Sequence, residues 1–444
     1  MIIVKGLPLI NKRPNIVVVG AGFGGLATTK ALANVSANIT LIDRRNHHLF
    51  QPLLYQVATA GLSPAQIAAP IRAILRTQKN TTILLDEVTG VDLERQEVLL
   101  GEKHLGYDYL VVATGARHSY FGHDEWEPFA PGLKSLEDAT DIRRRILLAF
   151  EQAEGASDQE SQNALLTFAI IGGGPTGVEL AGKVIEIARH ALAKDFRNIQ
   201  PATARVILIE AGQRLLATFP QELSVDAQNR IEKLGVEVML GKPVTQCDTA
   251  GVVVNGLRIP ARTIVWAAGV AASPAARWLG SPADRAGRAI VGPRLTIPNH
   301  ENVFVIGDTA SAMSPDGTPV PGLASAAKEE GAYVASRIKA RMSGSDSRLP
   351  FRYRNVGNLA TIGRNAAVID FGAVRLTGFA AWILWSVAHI YFLIGFRNRF
   401  IATADWIWTY LTYERSARLI TDRENRPSLG QAHDVARVPL TSTK

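Results

Sequence analysis

The chain has 444 residues, of which 47% are hydrophobic and 20% are charged, and its formal net charge is +8. This length exceeds what one compact core usually holds, so we expect two domains and an appendage. The single cysteine, Cys247, excludes an intrachain disulfide, a Cys-X-X-Cys redox pair and a cysteine-based metal site, and we expect no bound metal.

A first nucleotide-binding turn is predicted close to the N-terminus. A β-branched run ending at Val19 leads into "GAGFGG", which fits G-x-G-x-x-G and precedes an Ala- and Leu-rich segment. In such a turn Gly20 permits the tight bend, Gly22 permits close approach of a pyrophosphate and Gly25 permits close packing of the helix. The next predicted strand, "NITLID", ends at Asp43, near the spacing at which a carboxylate meets a ribose. A tight turn without a nucleotide is the alternative.

A second turn of the same pattern lies in "FAIIGGGPTGVELAG", where the glycines are Gly172, Gly174 and Gly177. The strand "ARVILIE" then ends at Glu210, which takes the ribose position. A carboxylate there accepts hydrogen bonds from both ribose hydroxyls and repels a 2′-phosphate, so we expect NADH to be preferred over NADPH. The long spacing between Gly172 and Glu210 indicates an insertion at "HALAKDFRNIQPAT".

Two turns in one chain indicate two cofactors that must meet, a bound flavin and a visiting nicotinamide. The strands "YDYLVVATGA" and "NVFVIGDTA" flank the second unit on either side. We therefore predict an α/β fold with two Rossmann-like dinucleotide-binding domains, the second inserted in the first. Asp308 is expected to accept hydrogen bonds from the hydroxyls of the flavin's ribitol chain, and the alternative is that it caps the N-terminus of the next helix.

These motifs, together with "NHHLFQPLLYQVATAGL" and "GNLATIGRNAAVIDFG", resemble the type II NADH dehydrogenases, single-subunit NADH:quinone oxidoreductases of the two-dinucleotide-binding-domain flavoproteins. The resemblance implies non-covalent FAD and NADH as cofactors and a membrane quinone as acceptor. The implied FAD contacts are Gly20, Gly22, Gly25, Asp43, Thr114, Gly115, Gly307, Asp308 and Ala324. The implied NADH contacts are Gly172, Gly174, Gly177, Glu210 and Gly269.

The same resemblance points to a catalytic residue and to a quinone end. Glu179 is placed near the flavin–nicotinamide stack, although a carboxylate that merely complements a helix N-terminus is the alternative. The family commonly carries Ala-Gln-x-Ala-x-Gln after the flavin motif. Here "GLASAAKEEG" puts Ser325 and Glu329 at the glutamine positions, with Lys328 between them. These three residues are the predicted quinone-side residues.

The C-terminal region is expected to associate with a membrane. The segment "GFAAWILWSVAHIYFLIGF" has no formal charge, and Ala335 to Pro427 contain 14 Arg and Lys against 6 Asp and Glu, a difference that equals the net charge of the whole chain. We favour an in-plane amphipathic hairpin on an anionic lipid surface, while a spanning helix and a buried helix pair or dimer interface remain open. We expect no nucleic-acid partner, because the aromatic residues cluster with apolar ones.

The predicted domains are 14–124 and 284–345 for FAD, 125–283 for NADH, 346–423 for the membrane region and 424–444 for a disordered tail. The N-terminal apolar run is too short for a secretory signal, so we expect a peripheral protein on the cytoplasmic face of the inner (plasma) membrane. The sequence shows no evident chain of buried carboxylates and no clear set of spanning helices, so we expect no proton pumping. The alternatives are a soluble NADH:ferredoxin or rubredoxin-type reductase and a non-catalytic nucleotide-binding module, and a homodimer is a further partner to test.

Overall fold

The computed structural model describes residues 13–345, 349–415 and 417–421. The segment 424–444, for which the sequence predicts disorder, lies outside these residues. Elements are numbered in chain order.

The N-terminal segment is rich in short strands. Its strands are β1 Asn15–Val19, β2 Asn38–Asp43, β3 His47–Leu49, β4 Ala68–Pro70, β5 Thr81–Leu85, β6 Gly90–Asp92, β7 Glu97–Leu100, β8 Lys103–Gly106, β9 Tyr109–Val112 and β10 Ala116–His118. Its helices are α1 Phe23–Ala31, α2 Leu54–Ala58, α3 Pro64–Ile67 and α4 Ile71–Ile74.

The middle segment alternates longer helices with strands. Its helices are α5 Leu136–Glu154, α6 Gln159–Leu165, α7 Pro175–Glu186, α8 Gln221–Lys233 and α9 Ala275–Trp278. Its strands are β11 Thr167–Ile171, β12 Arg205–Ile209, β13 Val236–Met239, β14 Val244–Asp248, β15 Gly251–Val254, β16 Leu257–Pro260, β17 Thr263–Trp266 and β18 Val270–Ala272. A π-helical turn, Ile187–Ala191, extends α7 into the predicted insertion.

The last segment returns to the first domain and then forms the C-terminal region. Its strands are β19 Ala289–Ile290, β20 Thr296–Ile297, β21 His300–Val305, β22 Ala310–Ser311, β23 Asn358–Thr361, β24 Ala367–Asp370 and β25 Arg375–Thr377. Its helices are α10 Ala324–Met342, α11 Gly378–Phe392 and α12 Phe396–Thr412.

Two parallel sheets organise the molecule. The first has the strand order β20-β21-β9-β1-β2-β5 and the second has β13-β12-β11-β17. Strand β21 pairs in parallel with β9 although the whole second sheet lies between them in sequence. The predicted α/β fold with one dinucleotide-binding domain inserted in the other is therefore confirmed. The central strands β1, β9, β11, β12 and β17 are largely buried, as β-branched runs covered on two faces require.

The C-terminal region packs on the body through one face of its helices. Trp385 is only 2% exposed and shares a core with α2, α5 and α7, while Trp406 Nε1 donates a hydrogen bond to Gln56 Oε1 at 2.7 Å. The predicted 19-residue apolar stretch is shorter as a helix, because α11 ends at Phe392 and Gly395 turns the chain with φ +90°. Within the described ranges, no helix combines the length and hydropathy needed to cross a membrane.

Candidate functional site

The first glycine turn has the geometry of a nucleotide cradle. Gly20 has φ +99°, and a Cβ on it would lie 2.3 Å from the carbonyl oxygen of Ala113. A Cβ on Gly25 would lie 1.8 Å from the carbonyl oxygen of Gly20, so the helix packs directly on the turn. A Cβ on Gly22, in contrast, would meet no described atom within 4 Å. The space above Gly22 suits a pyrophosphate at the N-terminus of α1.

The second glycine turn repeats this arrangement. Gly172 has φ +115°, and a Cβ on it would lie 2.5 Å from the carbonyl oxygen of Ala267. A Cβ on Gly177 would again lie 1.8 Å from the carbonyl oxygen of its first glycine, and one on Gly174 would meet nothing within 4 Å among the atoms described. Both turns therefore fit the phosphates of a dinucleotide.

Each predicted ribose carboxylate accepts a hydrogen bond from the backbone of its own glycine turn. Asp43 Oδ2 accepts the backbone N–H of Ala21 at 2.6 Å, and Glu210 Oε2 accepts the backbone N–H of Gly173 at 2.5 Å. Because a carboxylate has about four lone-pair sites, each side chain can accept a ribose hydroxyl as well.

Other predicted flavin residues meet beside the first turn. The backbone N–H of Gly115 donates to Thr309 Oγ1 at 2.8 Å, and Thr114 Oγ1 lies 3.3 Å from that same oxygen. Asp308 lies in the short 3-10 turn Gly307–Thr309, with its Oδ1 3.0 Å from the Cβ position of Gly322. The N-cap of the next helix is Leu323. The N-cap alternative for Asp308 is thus not what the structure shows.

Glu330 stabilises the short turn that contains Gly307 and Asp308. Its carboxylate accepts the backbone N–H of Gly307, and the residue is 2% exposed. Burial raises the pKa of Glu330 to about 8, and Asp308 and Glu329 add to this effect. No sequence motif predicted a role for this residue.

Glu179 lies in the second turn of α7, buried against the C-terminal region. It is 8% exposed, and its Oε1 accepts the backbone N–H of Thr361 at 3.3 Å. The Tyr55 hydroxyl lies 3.1 Å from Thr361 Oγ1. Burial raises the pKa of Glu179 to about 8, although hydrogen bonds from Thr361 and the charge of Lys183 oppose the shift. The Glu179 carboxyl therefore carries a proton near neutral pH.

The three predicted quinone-side residues lie close together on α10 but make different side-chain contacts. Lys328 Nζ lies 5.2 Å from the ring centre of Phe23 and 4.9 Å from that of Phe392. Ser325 and Glu329 point elsewhere, because they hydrogen-bond with Tyr353 and with the backbone N–H of Arg354 at 3.0 Å each. Of these three residues, Lys328 is the one that contacts both a ring of the first glycine turn and a ring of the C-terminal helices.

Two other predicted cofactor residues are placed less directly. A Cβ on Gly269 would lie 2.6 Å from the ring of Phe121, so an aromatic side chain covers this glycine. Ala324 is the first residue of α10 and is half-buried.

His48 lies under the first turn and was not predicted as a site residue. Its Nδ1 donates to the carbonyl oxygen of Ala21 at 2.8 Å, and its ring meets Phe23 edge to face. Burial lowers the pKa of His48 to about 4, so the ring is neutral. The available signal was its position in "NHHLFQPLLYQVATAGL", but the letters alone do not show which histidine is buried.

The outward side of the C-terminal helices forms an apolar surface, which we call the hairpin face. Its members are large apolar side chains at least 46% exposed: Phe379, Ile383, Val387, Tyr391, Phe392, Phe396, Phe400, Ile407, Trp408 and Leu411. Contiguous exposed apolar groups of this kind mark a contact with a membrane or with a partner.

Comparisons with known proteins agree with this geometry. The model of the pyridine nucleotide-disulphide oxidoreductase family matches residues 14–331, and that of the NDH2 C-terminal domain matches residues 356–413. Two relatives from Mycobacterium tuberculosis are the type II NADH:quinone oxidoreductases Ndh and NdhA, which are 45% and 43% identical, each over 93% of this chain and 91% of its own length. The solved structure of NDH2 from Plasmodium falciparum in complex with NADH covers 91% of this chain and 100% of its own, with a TM-score of 0.84 and 22% identity.

Proposed function

The chain belongs to the type II NADH:quinone oxidoreductase family, and from this premise we infer that it oxidises NADH and reduces a membrane quinone without pumping protons. The observation that carries this inference is the pair of matching glycine turns, one in each sheet. FAD, when bound, supplies the redox chemistry by accepting a hydride from NADH and passing two electrons to the quinone. A soluble ferredoxin or rubredoxin reductase is not favoured, because the similarity to quinone oxidoreductases extends through the C-terminal region.

We assign the first turn to FAD and the second to NADH. Gly20 and Gly25 shape the first turn, and Gly22 leaves room for a pyrophosphate, with Asp43 beside the adenosine ribose and Asp308 beside the ribitol. Glu210 meets the ribose of NADH in the same way. The domain boundaries given above remain part of this proposal.

Lys328 is the residue we assign to the quinone. Its ammonium lies between a ring that follows the first turn and a ring on α11, so it can donate a hydrogen bond to a quinone carbonyl that enters from the hairpin face. Ser325 and Glu329 are weaker candidates, since Tyr353 and Arg354 already engage them.

We propose that the hairpin face lies on an anionic lipid surface, on the cytoplasmic side of the membrane. Phe396 is 85% exposed and Phe400 is 69% exposed, and Arg397 and Arg399 lie next to them. Aromatic side chains beside arginines are typical of a headgroup interface. The F396E/F400E variant should lose binding to vesicles that contain anionic lipid, while a matched change of an exposed leucine elsewhere, L257E, should not. Dimer formation that is lost in F396E/F400E would instead assign this face to a second copy of the chain.

The test of the activity is anaerobic turnover. Purified FAD-loaded protein should convert one NADH and one short-chain quinone to products in equal amounts. Oxidation of NADH that requires a ferredoxin or rubredoxin instead of a quinone would contradict the proposal, and absence of any turnover would leave a nucleotide-binding module.

A further inference from the structure

A cavity of about 70 Å³ lies between α7 and the C-terminal region. We call it the aromatic cavity; its walls include Trp385 on α11, Trp406 on α12 and Tyr413, which follows α12. Among the residues described, none of those assigned above to FAD, NADH or the quinone lines it. The share of one water molecule in the liquid is about 30 Å³, so the cavity has room for a small ion.

The charged side chains that line the aromatic cavity do not balance. Among the described residues, three cations, Lys183, Arg364 and Arg415, line it together with one carboxylate, Glu186. Glu186 Oε2 already accepts from Lys183 Nζ at 2.9 Å and from Arg415 Nη2 at 3.3 Å, so one carboxylate serves two cations. An uncompensated buried charge is unfavourable. An anion in the cavity would supply the missing negative charge.

The excess of positive charge does not depend on the protonation of Lys183. Glu186 and Arg415 are each only 7% exposed. Burial lowers the pKa of Lys183, the charges of Arg415 and Arg364 add to this effect, and Glu186 opposes it. If Lys183 lost its proton, two guanidinium groups would still face one carboxylate, because arginine stays charged. The cavity therefore keeps a surplus cation in either state of Lys183.

Three buried polar atoms of the lining residues have no hydrogen-bond partner in the described part of the chain: Arg364 Nε, Trp385 Nε1 and Glu186 Oε1. The first two are donors, and the third is an acceptor. Arg364 stacks over Tyr413, with its guanidinium carbon 3.7 Å from the ring centre. This stacking stabilises the cation but gives Nε no acceptor. Because buried polar groups nearly always have a partner, these three atoms indicate a bound polar molecule.

One ligand satisfies all three atoms if it accepts two hydrogen bonds, donates one and carries a negative charge. Chloride and nitrate accept hydrogen bonds but donate none, and water carries no charge. An oxyanion that bears a hydroxyl group meets every requirement.

We propose that the aromatic cavity binds a small monovalent oxyanion that carries a hydroxyl group, either bicarbonate or dihydrogen phosphate. Its oxygens accept hydrogen bonds from Arg364 Nε and Trp385 Nε1, and its hydroxyl donates to Glu186 Oε1. Its charge offsets the surplus cation of the lining.

The bound anion joins four parts of the chain. Lys183 and Glu186 lie on α7, Arg364 lies between β23 and β24, Trp385 lies on α11, and Arg415 follows α12. The anion thus stabilises the contact between the NADH-binding domain and the C-terminal region, and the stability of the folded protein rises with the anion concentration. This role goes beyond the proposed function and does not rest on it, because it requires neither NADH nor a quinone.

The test is differential scanning calorimetry of the FAD-loaded full chain in sealed cells, in a HEPES buffer kept at constant ionic strength with sodium chloride. Bicarbonate, phosphate and nitrate are titrated separately, and the dependence of Tm on their concentration gives each Kd. Nitrate is the matched ion, because it is a monovalent oxyanion without a hydroxyl group.

Two variants remove the proposed donors, W385F and R364Q. The control for W385F is W406F, which removes an indole N–H that already donates to Gln56. The control for R364Q is R205Q, which breaks the exposed ion pair of Arg205 with Glu237. FAD content and the Tm without added anion confirm that each variant is folded, and the ion series in wild type decides the question without any variant.

We expect the wild-type Tm to rise by about 2 °C when bicarbonate or phosphate reaches about ten times its Kd. The tighter of these two ions is the ligand, and it should bind at least about tenfold more tightly than nitrate, since nitrate gives Glu186 no donor. W385F and R364Q should each weaken binding by about 10–100-fold, because each loses a hydrogen bond to a charged group. W406F and R205Q should match wild type.

Three results would overturn the proposal. A wild-type Tm that responds to neither hydroxyl-bearing ion would leave only water in the aromatic cavity. Nitrate binding as tightly as these ions would remove the role of the hydroxyl group and of Glu186. An unchanged Kd in W385F or in R364Q would place the anion elsewhere on the protein.

Discussion

The two glycine turns have nearly the same local structure but different surroundings. In each, the first glycine has a positive φ, the third glycine packs on the first, and a carboxylate from the next strand accepts a backbone N–H of the turn. Their neighbours differ. Helix α1 packs closely on α10, since a Cβ on Gly331 would lie 2.4 Å from the carbonyl oxygen of Gly24. Helix α7 instead packs on α2 and the C-terminal sheet, where Glu179 contacts Thr361.

The two turns therefore share a phosphate-binding geometry, and the elements packed around each turn give it a different environment. The first turn is enclosed by α10 and by the loop that Glu330 holds, as a resident cofactor needs. The second turn leads into α7, on which the buried Glu179 contacts Thr361 of the C-terminal region. Each unit carries one buried carboxyl whose pKa is raised to about 8, Glu330 in the first and Glu179 in the second.

The largest effect is expected when the third glycine of either turn is replaced by alanine. In G25A and in G177A the new Cβ would lie 1.8 Å from a backbone carbonyl oxygen, so we expect a loss of about 3 kcal/mol in the free energy of unfolding. G25A should purify without FAD, whereas G177A should retain FAD and lose NADH binding. FAD content and NADH titration check this contrast; loss of FAD from both variants alike would contradict the assignment of the turns.

A smaller effect is expected at the middle glycines, which have no described protein atom within 4 Å. In G22A and G174A the chain should unfold at the wild-type temperature when no cofactor is bound. The added methyl group should weaken FAD binding in G22A and NADH binding in G174A by about 10–100-fold, because it occupies the phosphate's space. Calorimetric titration of each cofactor measures this. Wild-type affinity in either variant would show that no phosphate lies there.

Neutralising the ribose carboxylates should have a smaller effect, and the effect should differ between the two turns. E210Q should narrow the preference for NADH over NADPH by about tenfold, since a hydrogen bond to a charged group contributes about 1.5–3 kcal/mol. D43N, its matched partner on the first turn, should leave that preference unchanged and loosen FAD. The ratio of kcat/KM for the two nucleotides is the readout, and an unchanged ratio in E210Q would count against its ribose role.

The sequence predicts the turns well because glycine spacing and an acid after the second strand encode them locally. Strand β2 ends at Asp43, and β12 ends one residue before Glu210. Glu330 and His48 were not predicted, because their burial depends on elements distant in sequence. The sequence did not predict where the helix after Thr377 ends, since hydropathy alone does not show that Gly395 would turn the chain.

The smallest expected effect is on the pH dependence of stability. Because the folded pKa of Glu179 and of Glu330 is raised to about 8, each contributes stability that is fully present below the unfolded pKa of about 4.3 and is lost as pH rises through about 8. Wild-type Tm should therefore fall by about 1–2 °C per pH unit relative to E179Q between pH 5 and 8. E330Q should show the same flattening. Parallel Tm curves for wild type and both variants would show that neither carboxyl is protonated in the folded protein.

The central claim is that the two turns hold two cofactors which exchange a hydride. Its most direct test is anaerobic stopped-flow absorbance of the FAD-loaded wild-type protein and of G174A at matched NADH concentrations. We predict rapid flavin bleaching in wild type, recovery on addition of menadione, and slow bleaching in G174A that higher NADH restores. Rapid bleaching in G174A at low NADH, or quinone reduction while the flavin stays oxidised, would contradict the account.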